Sequence, residues 1–200
     1  LEISTASQWP FHIQKTVSDI CLIPKKSIEV NIEPYYHTYD EKLIIPTVYA
    51  TIAALFAIKS GKQVRFISEP SETLQFTVKR PLVKINRKSA LNQSGKIIAE
   101  DIIIDVDMGA YPIFTDEILS QLILGAASIY SVSNLRITAR AIRSSSPPMN
   151  VFKGCSIGSA VFSAETHYSR IAAQQQINPV ELRLNYMQKA NQKLPSGGSL

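Results

Sequence analysis

The chain contains no run of about 18 apolar residues, so a membrane-spanning helix of ordinary length is not expected. Its longest apolar-rich stretch begins at Thr47 and stops at Lys59. Cysteine is scarce. Cys21 and Cys155 offer no framework of bridges, and reduced thiols in the cytoplasm are the expectation. Histidine is scarce too: of His12, His37 and His167, no two stand at metal-ligand spacing on a helix, so no metal site is assigned. Neither a phosphate-binding P-loop nor a glycine-rich dinucleotide turn is present. A basic segment and a cleavage site are both missing from the opening residues, so these are not expected to be a signal peptide. Leu1 opens directly into a strand-like run, and residues 195–200 have loop composition. The expectation is a piece of a larger protein.

What is there suits a globular core. Two hundred residues with 45% apolar content allow one domain or two small ones. The net charge of +5 is scattered. The densest basic stretch is Lys79-Arg80, Lys84 and Arg87-Lys88. It lacks interleaved aromatics, so it reads as the solvated face of a hairpin rather than a nucleic-acid surface.

Periodicity predicts a helix from Pro10 to Cys21, with Ile13, Val17, Ile20 and Cys21 on one face. A strand follows over residues 27–32. Residues 34–42 form a Tyr-rich loop holding His37 and Asp40. A second helix is expected from Pro46 to Ser60, with a stripe of Val48, Ile52, Leu55 and Phe56 and a cap at Gly61. Strands are expected over 63–67, 74–78, 82–87 and 96–106, the last two joined by a turn at Asn92–Gly95. The run Ile102-Ile103-Ile104 predicts cover on both faces. A helix over 115–129, an alternating strand over 134–142, a long helix marked by Ile157, Val161, Ala164, Tyr168, Ile171 and Ala172, and a last helix from Pro179 complete the pattern. The last helix is expected to carry Val180, Leu182, Leu184 and Met187. This order favours a mixed α/β or α+β layer over a helical bundle.

Few residues announce chemistry by themselves. Asp101, Asp105 and Asp107 alternate with apolar positions, as the solvent face of a strand would. The segment from Phe152 to Ala160 sets glycines and small residues before a helix N-terminus. Backbone N–H groups there are available to an anion or to a cofactor's oxygens, although tight packing alone would produce the same composition.

The order of segments then becomes specific. Ser7-Gln8-Trp9-Pro10-Phe11 resembles the T-Q-W-P-F segment of the xanthine dehydrogenase/aldehyde oxidase family. The run from Ala54 to Arg65 is similar to its A-L-A-A-x-K-T-G-R-P-V-R segment. Ser94–Ala99 resembles D-G-K-I-x-A, and Asp107–Tyr111 resembles D-x-G-A-Y. Tyr130–Arg136 is similar to Y-x-I-P-N-V-R, and Phe152-Lys153-Gly154 falls where the family has F-R-G-F-G. Asn178–Asn185 resembles D-P-x-E-L-R-x-x-N. Each motif is weak alone, but seven occur in the family's order along nearly the whole chain.

The resemblance implies an α+β fold with mixed sheets and packed helices, a molybdenum-cofactor-binding domain of this type. Residues 1–200 would be a fragment of the molybdopterin-binding region, with subdomains at about 1–70 and 71–200. It implies an oxidoreductase that binds molybdopterin and hydroxylates an aldehyde or N-heterocycle with oxygen from water. Electrons would leave through iron–sulfur and FAD subunits or domains, and the remainder of the same large subunit would be a partner. Neither nucleic acid nor membrane is expected as a partner.

Departures from the family pattern fall on its cofactor loops. The glycine loop G-G-G-F-G-G-K corresponds to Tyr36-His37-Thr38-Tyr39-Asp40-Glu41-Lys42, where only the lysine remains. Glycine permits close approach of backbone to a ligand, and bulk and negative charge stand there instead. In the second loop the family's arginine corresponds to Lys153, which keeps the charge and loses the planar fork. The next aromatic corresponds to Cys155. The resemblance therefore assigns cofactor binding to Gln8, Thr38, Tyr39, Lys153, Gly154 and Cys155. It assigns no catalytic residue, because the family's glutamate base lies in a segment outside this sequence. Two readings stay open: a hydroxylase piece, or a non-catalytic relative that keeps the fold and serves as an assembly or partner-binding module.

Overall fold

The computed structural model describes residues 1–34 and 42–189. The chain divides into two compact units, Leu1–Val78 and Lys79–Leu200.

The first unit begins with strand β1 (Glu2–Thr5), helix α1 (Pro10–Cys21), a 3₁₀ turn at Lys25–Ser27 and strand β2 (Glu29–Ile32). β1 and β2 pair in parallel, Ile3 opposite Val30, and such a pairing requires the crossover that α1 provides. Pro10 opens α1, where its missing N–H has no helical partner to lose. Leu22 closes the helix in the left-handed region, at φ 57°. Ile13 and Val17 are fully buried and Cys21 packs beside them, but Ile20 points outward.

Helix α2 (Ile45–Ser60) ends at the expected Gly61, at φ 63°. The face it buries is not the expected one. Thr47, Ala50, Thr51 and Ala54 lie inside, whereas Val48, Leu55 and Phe56 are exposed. The helix is apolar nearly all round, so periodicity alone does not choose a face. Small residues let it approach α1 closely within the core of Ile3, Ile13, Val17 and Ile28.

Two expected strands are absent here. Residues 63–67 have no regular structure, and no sheet partner exists for them among the described residues. Residues 70–76 form helix α3 (Pro70–Phe76), in place of the strand expected from Leu74. A capping box decides the matter: the Glu69 N–H donates to the Glu72 carboxylate at 2.9 Å, and Pro70 takes the first helical position. These local signals outweigh the short alternation of Leu74, Phe76 and Val78.

The second unit is built on a three-stranded sheet of order β3-β4-β5: β3 (Leu82–Leu91), β4 (Ile97–Asp107) and β5 (Leu135–Ile142). β3 and β4 form the expected antiparallel hairpin, with Ile85 opposite Ile104. β5 joins β4 in parallel, Ala139 opposite Ile104, after the crossover helix α4 (Thr115–Ala127). Ile102, Ile104, Val106 and Met108 meet Ile118, Leu122 and Ala126 of α4 and Ala160 in a closed core. Ile103 retains partial exposure, so the cover on the second face is incomplete. On that outer face Asp101 pairs with Arg136 and Asp105 with Arg140, each at 2.7 Å. Asp101 and Asp105 are thus in surface ion pairs, whereas Asp107 accepts from the Gly109 N–H and the Ser144 hydroxyl, and Glu100 is buried.

Helix α5 (Ile157–Gln175) and helix α6 (Pro179–Tyr186) follow. Ala160, Ala164, Tyr168, Ile171 and Ala172 form the buried face of α5. A second cluster joins Tyr168 to Ile97, Tyr130, Leu182 and Tyr186. In α6 it is Leu182 and Tyr186 that go inside, while Val180 and Leu184 stay out. Among the described residues no helix is long and apolar enough to cross a membrane.

Candidate functional site

In the first unit, Gln8 stands on the bend between β1 and α1 with its side chain exposed. Its backbone is fastened: the Gln8 N–H donates to the Lys42 carbonyl at 3.0 Å. Ser7 beside it is buried. The Ser7 hydroxyl donates to the same carbonyl at 3.3 Å and accepts from the Trp9 N–H at 3.0 Å. A buried hydroxyl thus spends both of its roles on shaping this bend. The structure brings Gln8 together with Lys42, the lysine at which the altered glycine loop ends. Thr38 and Tyr39, with His37 and Asp40, lie outside the described residues.

In the second unit, Lys153, Gly154 and Cys155 occupy the tight connection into α5. Gly154, Cys155 and Ser156 follow one another in the left-handed region, at φ 83°, 41° and 67°. Turn bonds wind the segment. Cys155 N–H donates to the Phe152 carbonyl at 2.8 Å, Ile157 N–H to Gly154 at 2.8 Å, and Ser159 N–H to Ser156 at 3.0 Å. The glycine leaves its outer side open, since a Cβ there would meet only Ile157 Cγ2 at 3.6 Å.

Arg80 braces this connection. Both of its terminal nitrogens donate to the Lys153 carbonyl at 3.3 Å, and its guanidinium lies 5.6 Å from the Phe152 ring centroid. Asn150, fully buried, receives the chain from the other side. Its N–H donates to the Lys79 carbonyl at 3.0 Å, and its side-chain oxygen accepts from the Val151 N–H at 2.7 Å. Ser7 and Ser156 fall inside segments that the sequence singles out but receive no role there, Asn150 is not marked at all, and the pattern assigns Arg80 to a solvated face.

Two buried donors near the connection remain unspent. Among the described residues neither Asn150 Nδ2 nor Ser156 Oγ has a hydrogen-bond partner. Buried polar groups are rarely left so in native proteins. Both atoms are sealed from solvent, whereas the cationic residues of the connection, Lys153 and Arg80, are exposed, and positive charge there is what an oxygen-rich anionic group would require.

A family model described as "Molybdopterin cofactor-binding domain" matches residues 1–187. The chain is 26% identical to aldehyde oxidase 2 of Rattus norvegicus over 193 residues, covering 96% of this chain and 14% of that protein. It is 29% identical to a probable xanthine dehydrogenase subunit from Bacillus subtilis (strain 168) over 161 residues, covering 80% of this chain and 19% of the relative. In structure it resembles quinoline 2-oxidoreductase from Pseudomonas putida 86, with a TM-score of 0.85 at 20% identity, covering 100% of this chain and 26% of that one. It also resembles the aldehyde oxidoreductase of Desulfovibrio gigas, with a TM-score of 0.77 at 23% identity, covering 93% and 20%. The chain therefore spans between 14% and 19% of the length of these two curated relatives. Molybdopterin is the cofactor of the family, the seven motifs read in the sequence resemble segments of the same family, and the chain belongs to the molybdopterin cofactor-binding domain family of xanthine dehydrogenase/aldehyde oxidase-type enzymes.

Proposed function

We propose that this chain is the cofactor-holding piece of a cytoplasmic oxidoreductase that hydroxylates an aldehyde or an N-heterocycle with oxygen drawn from water. The observation that carries the reading is the bond from the Gln8 N–H to the Lys42 carbonyl at 3.0 Å. It joins the matching glutamine to the surviving lysine of the altered loop. Gln8 would offer its exposed amide to the cofactor. Lys153 would bring charge, and Gly154 and Cys155 would bring close-lying backbone. Molybdopterin, when bound, supplies the metal centre at which hydroxylation occurs. The residues of this chain bind and orient; the general base and the iron–sulfur and FAD partners would belong to the rest of the protein.

A second reading is favoured by one specific feature. Tyr36, His37, Asp40 and Glu41 stand where glycines let the backbone approach the cofactor. Bulk and negative charge at that position disfavour an anionic group, and a relative of this kind would serve as an assembly or partner-binding module.

Metal and pterin analysis of the full-length protein from its native host separates the two. Molybdenum and pterin near one per chain, lowered by Gln8→Ala, support the hydroxylase. A folded protein without either supports the module.

A further inference from the structure

The basic stretch of β3 is not wholly solvated. Val83, Ile85, Arg87 and Ser89 alternate toward the inner side of the sheet, and the Arg87 side chain is only 4% exposed. Helix α5 faces this edge across a cavity of about 590 Å³, within the range typical of small-molecule sites. Val83, Ile85 and Phe162 form its apolar walls. Its polar lining is Arg87, Ser159, Ser163, Thr166, His167 and Arg170.

Arg87 is incompletely paired. One terminal nitrogen donates to the Ala126 carbonyl and lies 3.5 Å from the Glu100 carboxylate. Among the described residues Nε and the other terminal nitrogen have no partner. The Glu100 carboxylate is already shared, because it accepts from the Ser89 hydroxyl at 3.0 Å. Ser89 has spent its only proton there, so its 2.7 Å contact with His167 Nε2 makes the imidazole the donor. His167 thus carries its proton on Nε2. Burial lowers its pKa, and the charges of Arg87 and Arg170 lower it further. Arg87 and Arg170 line the cavity and no carboxylate does. Glu100 lies 3.5 Å from Arg87, and Glu165, whose charge also reaches Arg87, is paired with Arg183, so the cavity is positive, with buried donors unspent and hydroxyls around them. Such a donor set is costly when empty and is satisfied by an oxyanion, not by a cation or an apolar group.

We propose that the cavity between β3 and α5 binds a small organic oxyanion, a carboxylate or a phosphate, held by Arg87 and Arg170 and by the hydroxyls of Ser159, Ser163 and Thr166. The proposal goes beyond the reading as a hydroxylase piece and stands whether or not the chain carries molybdopterin.

The test follows the imidazole signals of His167 by NMR in the whole chain during titration with inorganic phosphate or with succinate, with chloride at matched ionic strength as control. The expected result is a saturable shift with one or both anions, an upward move of the His167 pKa, and no such change with chloride. Phosphate acting alone identifies a phosphoryl ligand, and succinate acting alone a carboxylate. Arg170→Ala, at an exposed position, weakens binding about tenfold, and Arg87→Met abolishes it. If Arg87→Met fails to fold, Arg170→Ala decides. A response to neither anion, the same response to chloride, or undiminished binding in Arg170→Ala would overturn the proposal.

Discussion

Arg183 donates its Nε–H to the Glu165 carboxylate at 2.7 Å, and this bond ties α6 to α5. The same guanidinium reaches the Glu165 carbonyl at 3.0 Å and the Ser169 hydroxyl at 2.8 Å. The Tyr130 hydroxyl donates to the other carboxylate oxygen at 2.7 Å. Burial alone would raise the Glu165 pKa, but the hydrogen bonds from Arg183 and Tyr130 and the charge of Arg183 outweigh it and hold the carboxyl below its ordinary value.

Arg183→Met is expected to destabilise the chain by about 1–2 kcal/mol, a figure reduced for partial exposure to solvent. A folded carboxyl more acidic than a free one contributes fully above the free value, about 4.3, and loses that contribution as pH falls through the lower folded value. Chemical denaturation as a function of pH checks this. Glu165→Gln should flatten the acid limb of the stability profile, and an unchanged limb would show that Glu165 does not titrate as stated.

Gly109 follows the end of β4 at φ 69°, and a Cβ there would clash with the Pro147 carbonyl oxygen. Its N–H donates to Asp107 at 2.8 Å, and Asp107 also accepts from the Ser144 hydroxyl at 2.7 Å. Gly61 has nearly the same φ, 63°, with nothing near its Cβ position. Gly61→Ala should therefore cost only the left-handed penalty, about 1–2 kcal/mol. Gly109→Ala adds a backbone clash and should cost about 3 kcal/mol or more. Equal losses in thermal unfolding would contradict the difference in surroundings.

These cases show where the sequence spoke clearly. The spacing of Ala164, Tyr168, Ile171 and Ala172 specifies most of the buried face of α5, although Val161 of the expected stripe is exposed, as is Phe162 beside it, and Ala160 is buried instead. α2 has little contrast between its faces, and its buried face is chosen by the small volumes of Ala50 and Ala54, which a hydrophobicity pattern does not rank. At α3 the local cap overrides a short apolar alternation. In the candidate site, the motifs mark Gln8 and Lys153–Cys155. The left-handed backbone of Cys155 and Ser156 is not legible in the sequence, because neither is glycine. Arg87 reads as one more surface cation until the pleat of β3 turns it inward.

Tyr130 and Tyr168 stack with ring centroids 4.1 Å apart, yet their hydroxyls fare differently. The Tyr130 hydroxyl is bonded to Glu165, and burial followed by that carboxylate pushes its pKa up to about 12. The Tyr168 hydroxyl is buried without a partner among the described residues, and burial drives its pKa higher still. Tyr168→Phe removes an unsatisfied group and keeps the stack, so stability should hold or rise by about 1 kcal/mol. Tyr130→Phe deletes a bond to a charged acceptor and should lower it by about 1–2 kcal/mol. Urea unfolding of both variants distinguishes the sites, and a larger loss for Tyr168→Phe would mean that its hydroxyl has a partner.

The connection into α5 stores strain where the cofactor contacts are proposed. Cys155 and Ser156 are non-glycine residues in left-handed conformations, each costing about 1–2 kcal/mol. Ser156 also buries an unpartnered hydroxyl. Ser156→Gly removes both burdens and should raise the unfolding temperature, offset in part by the greater freedom of glycine in the unfolded chain. Arg80→Ala acts in the opposite direction. It withdraws two donors from the Lys153 carbonyl and the cation from above Phe152, and should speed proteolytic nicking between residues 150 and 156. If the strain is maintained for binding, Ser156→Gly should gain stability and lose molybdenum retention in the full-length protein. A gain in stability with retention unchanged would assign the strained backbone to packing against Gly125, where a Cβ would already stand 2.8 Å from Ile157.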